Sequence, residues 1–136
     1  MSVLKTLGSH RIVPVVVLER AADADPLAAA LVAGGLPVAE VTFRTAAAPE
    51  AIAIMAARGD LVVGAGTVLT PEQVDRAADA GATYIVSPGT SVPVVERALE
   101  RGLAVLPGAV TATEIQAALA LGLDTVKFFP AGVYGG

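Results

Sequence analysis

Residues 61–81 read LVVGAGTVLTPEQVDRAADAG, and this stretch decides the fold of the chain. It opens with an aliphatic run over 61–66, which is typical of a short strand. Thr70 then supplies an N-cap, Pro71 takes the first helical position, and Gln73 completes a capping box. Gly81 follows the Ala-rich segment and is expected to end the helix by adopting the left-handed backbone conformation. The stretch therefore predicts one strand followed by one helix.

The same strand–helix unit recurs along the chain at intervals of about twenty residues. Aliphatic runs predict six strands, at 12–18, 38–43, 61–66, 84–87, 104–106 and 125–129. Helices are predicted over 24–34, 47–58, 71–80, 91–101 and 112–121, closed by Gly35, Gly59, Gly81, Gly102 and Gly122. Regular alternation means parallel β/α units, in a doubly wound open sheet or a β/α barrel. Equal spacing and very short strands favour the barrel.

A complete eight-unit barrel needs at least about 200 residues. We therefore expect residues 1–136 to form a single β/α-barrel domain that holds about the first six strands of a TIM (β/α)8-type barrel. Such an incomplete barrel would leave strand edges exposed at both ends of the sheet, which favours aggregation or pairing with another chain.

Composition excludes several classes of function. The net charge is −4 and no basic run occurs, so nucleic acid is not an expected partner. The chain has no cysteine and one histidine, His10, which we expect at the surface. These counts rule out thiolate or multi-histidine metal sites and a Ser-His-Asp triad. Apolar runs are too short for a membrane span, and the first residues lack the features of a signal peptide, so a cytoplasmic protein is expected.

Lys127 is the most informative single residue. The chain has only two lysines, and Lys127 lies in the apolar run 125–130. An ammonium group there loses hydration unless it has a partner or a task. One interpretation is that its head reaches solvent at a strand end. The other is that it attacks a carbonyl carbon to form a Schiff base.

Polar residues at other strand ends favour the second interpretation. Because side chains alternate along a strand, Glu40, Thr42 and Arg44 share one face, and Lys127 can point into the same interior. Glu40 and Arg44 could instead form a buried ion pair. Thr67 follows Gly64-Ala65-Gly66, where two glycines would let backbone and ligand approach closely, unless the segment is a plain tight turn.

These side chains have complementary chemistry. Lys127 is a nucleophile, and Arg44 can hold a carboxylate by two parallel hydrogen bonds. Glu40 can move protons directly or through a water molecule, and Thr67 can orient a carboxylate, hydroxyl or water. A 2-oxo acid carries a ketone beside a carboxylate. The residues therefore predict a Schiff-base lyase or aldolase for a 2-oxo acid that needs no metal, because the iminium takes the place of a Lewis acid.

At this point the chain resembles a known family, the bacterial 2-keto-3-deoxy-6-phosphogluconate (KDPG) and 4-hydroxy-2-oxoglutarate (KHG) aldolases. The segments that carry the resemblance are Val15-Val16-Val17, Ala33-Gly34-Gly35, Glu40-Val41-Thr42-Phe43-Arg44-Thr45, Gly64-Ala65-Gly66-Thr67-Val68-Leu69, Ser87-Pro88-Gly89, Leu106-Pro107-Gly108 and Lys127-Phe128-Phe129-Pro130-Ala131.

The resemblance implies a class I aldolase of the Entner–Doudoroff pathway that cleaves KDPG to pyruvate and glyceraldehyde 3-phosphate. It implies Lys127 as the Schiff-base lysine and Glu40 as the general acid/base. Arg44 would hold the pyruvate carboxylate, and Thr67 would lie beside the substrate. Pro88 and Phe129 would wall the pocket. Family members are similar in being homotrimers without cofactors.

The resemblance also implies a difference, since the family carries two further β/α units whose loops hold the substrate phosphate. The chain is thus expected to be truncated at its C-terminal end, so its activity and phosphate binding are open. Two alternatives remain. One is an aldolase for KHG or the galactonate analogue, and the other is a catalytically silent fragment with a structural or assembly role.

Overall fold

A computed structural model describes all 136 residues of the chain. Five parallel strands form one sheet in the order in which they occur along the chain, each hydrogen-bonded to the next. The strands are β1 (Val15–Val16), β2 (Val38–Thr42), β3 (Val62–Gly66), β4 (Tyr84–Ser87) and β5 (Ala104–Pro107). The predicted parallel β/α architecture is confirmed.

Six helices accompany the strands. They are α1 (Val3–His10), α2 (Ala24–Ala33), α3 (Ala48–Arg58), α4 (Pro71–Ala80), α5 (Val92–Glu100) and α6 (Ala112–Ala120), with short 3-10 turns at Ala21–Asp23 and Gly132–Tyr134. Thr70 and Thr111 cap α4 and α6 as predicted, and Glu114 completes the capping box of α6. No helix is long and apolar enough to cross a membrane.

The glycines that were predicted to end helices all have backbone angles in the left-handed region. The glycines at the ends of the five predicted helices have φ between 70° and 103°, and they are Gly35, Gly59, Gly81, Gly102 and Gly122. Only glycine adopts this conformation without a steric cost, so each one reverses the chain toward the next strand.

The sheet has a different apolar core on each face. Alternate strand residues such as Val41, Ala65 and Ile85 pack outward against the helices, in a cluster of 21 buried residues. On the other face Val38 and Tyr84 pack with one another inside the curved sheet. This second, smaller core is the interior of the barrel, and it is where the site residues are found.

Helix α1 was not predicted, although Ser2 caps it and could have marked its start. Its Leu7 is buried against Val38 and Tyr84, so the helix fills the end of the barrel interior where the strands begin. His10, expected at the surface, is half-buried in its last turn.

The sixth predicted strand is reduced to a single parallel bridge. Lys127 donates its amide to the Pro107 carbonyl at 2.8 Å and accepts from the Ala109 amide at 2.9 Å. Residues 125–129 have no strand on their far side, and Pro130 lacks the N–H needed to extend the ladder. The segment therefore lies beside β5 without forming a full strand. The first strand is also shorter than predicted, since only Val15 and Val16 pair with β2.

Candidate active site

Glu40 lies inside the barrel, in the middle of β2, and is only 4% exposed. Its carboxylate occupies a space left by Gly66 on the neighbouring strand, because a Cβ atom there would overlap Glu40 Oε1. The glycine-rich end of β3 therefore accommodates a side chain of the protein. This corrects the expectation that its two glycines serve close approach of a ligand to the backbone.

Lys127 reaches the same interior from the bridge beside β5. Its Nζ lies 3.9 Å from Glu40 Oε1, and its side chain is 26% exposed. The amine is thus covered enough to be held in place and open enough to meet a small molecule. Glu40 forms no ion pair with Arg44, so the alternative of a buried Glu40–Arg44 pair is wrong.

A cavity of about 260 Å³ opens between the two groups. Glu40 and Lys127 are its only charged lining residues, and the others are apolar: Val13, Val15, Val86, Leu106 and Val126. A cavity of this size suits a small molecule with only a few heavy atoms near the amine.

Burial raises the pKa of Glu40 above its ordinary value, while the positive charges of Lys127 and Arg44 act in the opposite direction. The effect of burial is the larger one, because the carboxylate is almost completely covered. A carboxyl group held this way is protonated more easily than an exposed one, which suits a group that must both accept and return a proton.

Arg44 and Thr67 form a second pair, just beyond the ends of β2 and β3. Arg44 Nε donates to Thr67 Oγ1 at 3.3 Å, and the guanidinium is exposed. Neither residue lines the cavity around Lys127. The pair therefore lies at the mouth of the barrel, with the remaining guanidinium N–H groups free to bind an anion.

Thr67 has an unusual backbone conformation. Its φ is +54°, in the left-handed region that a β-branched residue adopts only at a cost of about 1–3 kcal/mol. The neighbouring backbone fixes this turn, since the Val68 amide donates to the Val86 carbonyl at 3.2 Å and Phe43 donates to Gly66 at 2.8 Å. Strain of this kind is concentrated at functional sites.

Phe129 and Pro88 were predicted to wall the pocket. Lys127 Nζ lies 4.6 Å from the centre of the Phe129 ring, so the ring covers one side of the amine. Pro88 is exposed after β4 and does not line the cavity. Its carbonyl group lies where a Cβ atom of Gly108 would be, which packs the turns after β4 and β5 tightly together.

The cavity joins a primary amine to a buried carboxyl group, and an arginine lies at the mouth of the barrel beyond it. An amine beside a proton acceptor can condense with a ketone, and an arginine at the mouth can bind a carboxylate. No cluster of metal-binding side chains occurs in the structure.

A family model described as KDPG and KHG aldolase matches residues 3–136. The chain belongs to this family. It is 49% identical to the 2-dehydro-3-deoxy-phosphogluconate aldolase of Treponema pallidum, and the match covers 100% of this chain and 65% of the relative. For the corresponding enzyme of Zymomonas mobilis the identity is 50%, over 92% of this chain and 60% of the relative. The chain thus spans somewhat less than two thirds of these relatives.

Solved structures of KDPG aldolases have the same fold. The crystal structure of the Zymomonas mobilis enzyme with 3-phosphoglycerate superposes with a TM-score of 0.87 at 50% identity, over 91% of this chain and 59% of that one. The Legionella pneumophila KDPG aldolase, with pyruvate captured as a covalent carbinolamine, also gives a TM-score of 0.87, at 38% identity. That match covers 91% of this chain and 61% of the Legionella chain.

Two residues that lie beside Glu40 were missed by sequence reasoning. Gly66 was assigned to ligand approach, and Tyr84 was placed in a strand without a role. Both occupy positions that face the barrel interior, because side chains alternate along a strand. Gly66 faces inward together with Gly64 on β3, and Tyr84 faces inward together with Val86 on β4. Applying that alternation to every strand would have placed them beside Glu40.

Proposed function

We propose that this chain is a class I aldolase that cleaves KDPG to pyruvate and glyceraldehyde 3-phosphate through a Schiff base on Lys127. One observation carries the proposal: Lys127 Nζ lies 3.9 Å from a buried carboxylate of Glu40, inside an otherwise apolar cavity. A lysine and a proton-transfer group at this spacing are the two parts that imine chemistry requires.

The chemistry begins when the neutral Lys127 amine adds to the ketone carbon of the 2-oxo acid. Loss of water from the carbinolamine leaves a protonated imine. The C3–C4 bond then breaks, and its electron pair moves toward the imine nitrogen to give an enamine. Glu40, directly or through a water molecule, accepts the proton of the C4 hydroxyl as the aldehyde leaves. The proton returns to C3, and hydrolysis of the imine frees pyruvate and Lys127.

Arg44 and Thr67 bind the substrate in this proposal. The guanidinium group at the mouth of the barrel holds the carboxylate next to the ketone, and the Thr67 hydroxyl fixes the orientation of Arg44. The Phe129 ring, which covers one side of the Lys127 amine, limits the space beside the imine. No metal or organic cofactor takes part, because the protonated imine draws the electrons.

KDPG is favoured as the substrate because the curated relatives from Treponema pallidum and Zymomonas mobilis are named for its aldolase activity. An aldolase for KHG or the galactonate analogue is the alternative, since a related Escherichia coli enzyme is named KHG/KDPG aldolase. We further propose the Entner–Doudoroff pathway, the cytoplasm and a homotrimer as the setting of the activity, and residues 1–136 as one domain of it.

The decisive experiment is reduction with borohydride in the presence of pyruvate, followed by mass measurement of the intact chain. One covalent adduct is expected on the wild type and none on Lys127→Ala. Lys5→Ala is the matched control, because Lys5 is the only other lysine and lies exposed on α1. A folded wild-type chain without an adduct at saturating pyruvate would refute the aldolase.

A second candidate, a silent assembly unit, is favoured by the exposed edge of the sheet at β1. Val15 and Val17 there are 52% and 46% exposed. An assembly that persists at every concentration tested by light scattering, together with no pyruvate adduct, would favour this role over the aldolase.

A further inference from the structure

Tyr84 is the largest fully buried side chain and lies at the centre of the barrel interior. Its hydroxyl donates a hydrogen bond of 2.7 Å to the carbonyl oxygen of Ala39. Tyr84 is on β4 and Ala39 is on β2, so the side chain passes across the inner face of β3 to reach its partner. This hydrogen bond joins two strands that are not neighbours in the sheet, so it fixes the position of β2 relative to β4.

Gly64 makes this crossing possible. A Cβ atom at position 64 would overlap the Tyr84 ring, just as one at Gly66 would overlap the Glu40 carboxylate. Gly64 and Gly66 are successive inward positions of β3. The tyrosine ring and the carboxylate therefore occupy adjacent spaces, with the ring one step closer to the start of the strands.

The contact with Ala39 acts on the residue that matters most for proton transfer, because Ala39 directly precedes Glu40. The hydroxyl holds the β2 backbone at this point, and the ring excludes water from the space below the carboxylate. Burial and the nearby charge of Glu40 both raise the pKa of Tyr84, so its hydroxyl remains a donor throughout the working pH range.

We propose that Tyr84 is a positioning residue that sets both the placement and the proton affinity of Glu40. The inference rests on the proposed aldolase function only for its effect on turnover. The charged groups that face Glu40 are Lys127 and Arg44, and the charged group that faces Tyr84 is Glu40 itself. Glu40 is therefore the only charged group whose ionisation changes the surroundings of Tyr84.

The first test is Tyr84→Phe, which keeps the ring and removes only the hydroxyl. Turnover is expected to fall roughly tenfold, since a small misplacement of a proton-transfer group is costly. The acidic limb of the pH–rate profile is expected to move, while the pyruvate adduct on Lys127 still forms. Tyr134→Phe is the matched control, because Tyr134 is the only other tyrosine and is 55% exposed.

A second measurement does not depend on the fold of that variant. In Tyr134→Phe protein labelled with 3-fluorotyrosine, Tyr84 gives the only fluorine signal. Its chemical shift is expected to change with pH as Glu40 ionises, and to stay constant in the same protein carrying Glu40→Gln. The proposal would be overturned if the fluorine chemical shift did not change with the ionisation of Glu40. It would also be overturned if Tyr84→Phe had the turnover and pH profile of the wild type. Failure of pyruvate trapping in the wild type would instead overturn the aldolase function and leave the fluorine result intact.

Discussion

Arg44 lies at the mouth of the barrel with one of its N–H groups committed to Thr67. The rest of its planar guanidinium is available for two parallel hydrogen bonds to a carboxylate, which a lysine cannot reproduce. Arg44→Lys is therefore expected to raise the pyruvate concentration needed for half-maximal trapping by about tenfold, or about 1.4 kcal/mol.

Arg11→Lys is the matched control, since Arg11 is exposed at the end of α1. An Arg44→Lys variant that traps pyruvate as readily as the wild type would contradict the carboxylate-binding role.

Glu40 should make stability depend on pH in a specific direction. Burial raises the pKa of Glu40 above its ordinary value of 4.5, so the folded state favours the protonated form. The corresponding stabilisation is present below that value and is lost as pH rises through the raised pKa. Urea unfolding from about pH 4 to about pH 8 should therefore show the wild type losing stability relative to Glu40→Gln.

Glutamine at position 40 cannot ionise, so the slope against pH of the stability difference between the two proteins reports the ionisation of Glu40. Glu96→Gln controls for the loss of an exposed carboxylate. A difference between wild type and Glu40→Gln that stays flat, or rises with pH, would contradict the raised pKa.

Sequence reasoning predicted which polar side chains point into the barrel, but not how deep each of them lies. The alternation of strand side chains placed Glu40 and Lys127 in one interior, and they do line one cavity. Arg44, on the same face of the strand as Glu40, and Thr67 lie together at the mouth of the barrel, outside the cavity around Lys127. Alternation gives the direction of a side chain, whereas its depth depends on where the strand ends.

At the level of the element, the inward-facing glycines of β3 leave space for side chains from the strands on either side, β2 and β4. Gly66→Ala would push a methyl group into the Glu40 carboxylate. Because that group is the end of a flexible side chain, the fold should survive with a loss of about 1–3 kcal/mol. Turnover should fall about 100-fold, since the carboxylate must move relative to Lys127.

Gly8→Ala is the control for Gly66→Ala. Nothing lies within 4 Å of a Cβ atom at Gly8, and alanine in a helix should stabilise α1 by about 0.5–1 kcal/mol. Chemical unfolding and turnover together check the pair. Normal turnover in Gly66→Ala would mean that the placement of Glu40 is not critical.

The lengths of the strands show what the local pattern of apolar residues cannot predict. The runs over 38–43 and 61–66 became strands within one residue of prediction because each has a partner on both sides. The run over 125–129 is as apolar as these, yet it forms one bridge. Propensity supplies the tendency to extend, but a ladder of hydrogen bonds requires neighbours that a local window of sequence cannot reveal.

For the whole molecule, the exposed edge at β1 should govern association. Its backbone pairs with β2 on one side only, and Val15 is 52% exposed. Such an edge favours pairing with another chain, and a charge placed on it opposes that pairing. Light scattering should show association that increases with concentration and is reduced by Val15→Lys.

Val133→Lys is the control, because Val133 is 81% exposed but lies in a 3-10 turn away from the sheet. Equal association of the wild type and Val15→Lys would show that chains meet through another surface.

Helix α1 links the first residues of the chain to proton transfer far along it. Leu7 fills the lower end of the interior beneath Tyr84, and Tyr84 in turn lies beneath Glu40. A deletion or fusion that unwinds α1 would admit water from below and hydrate the carboxylate. The affinity of Glu40 for its proton would then return toward that of a glutamate in free solution, although no residue near the cavity had been altered.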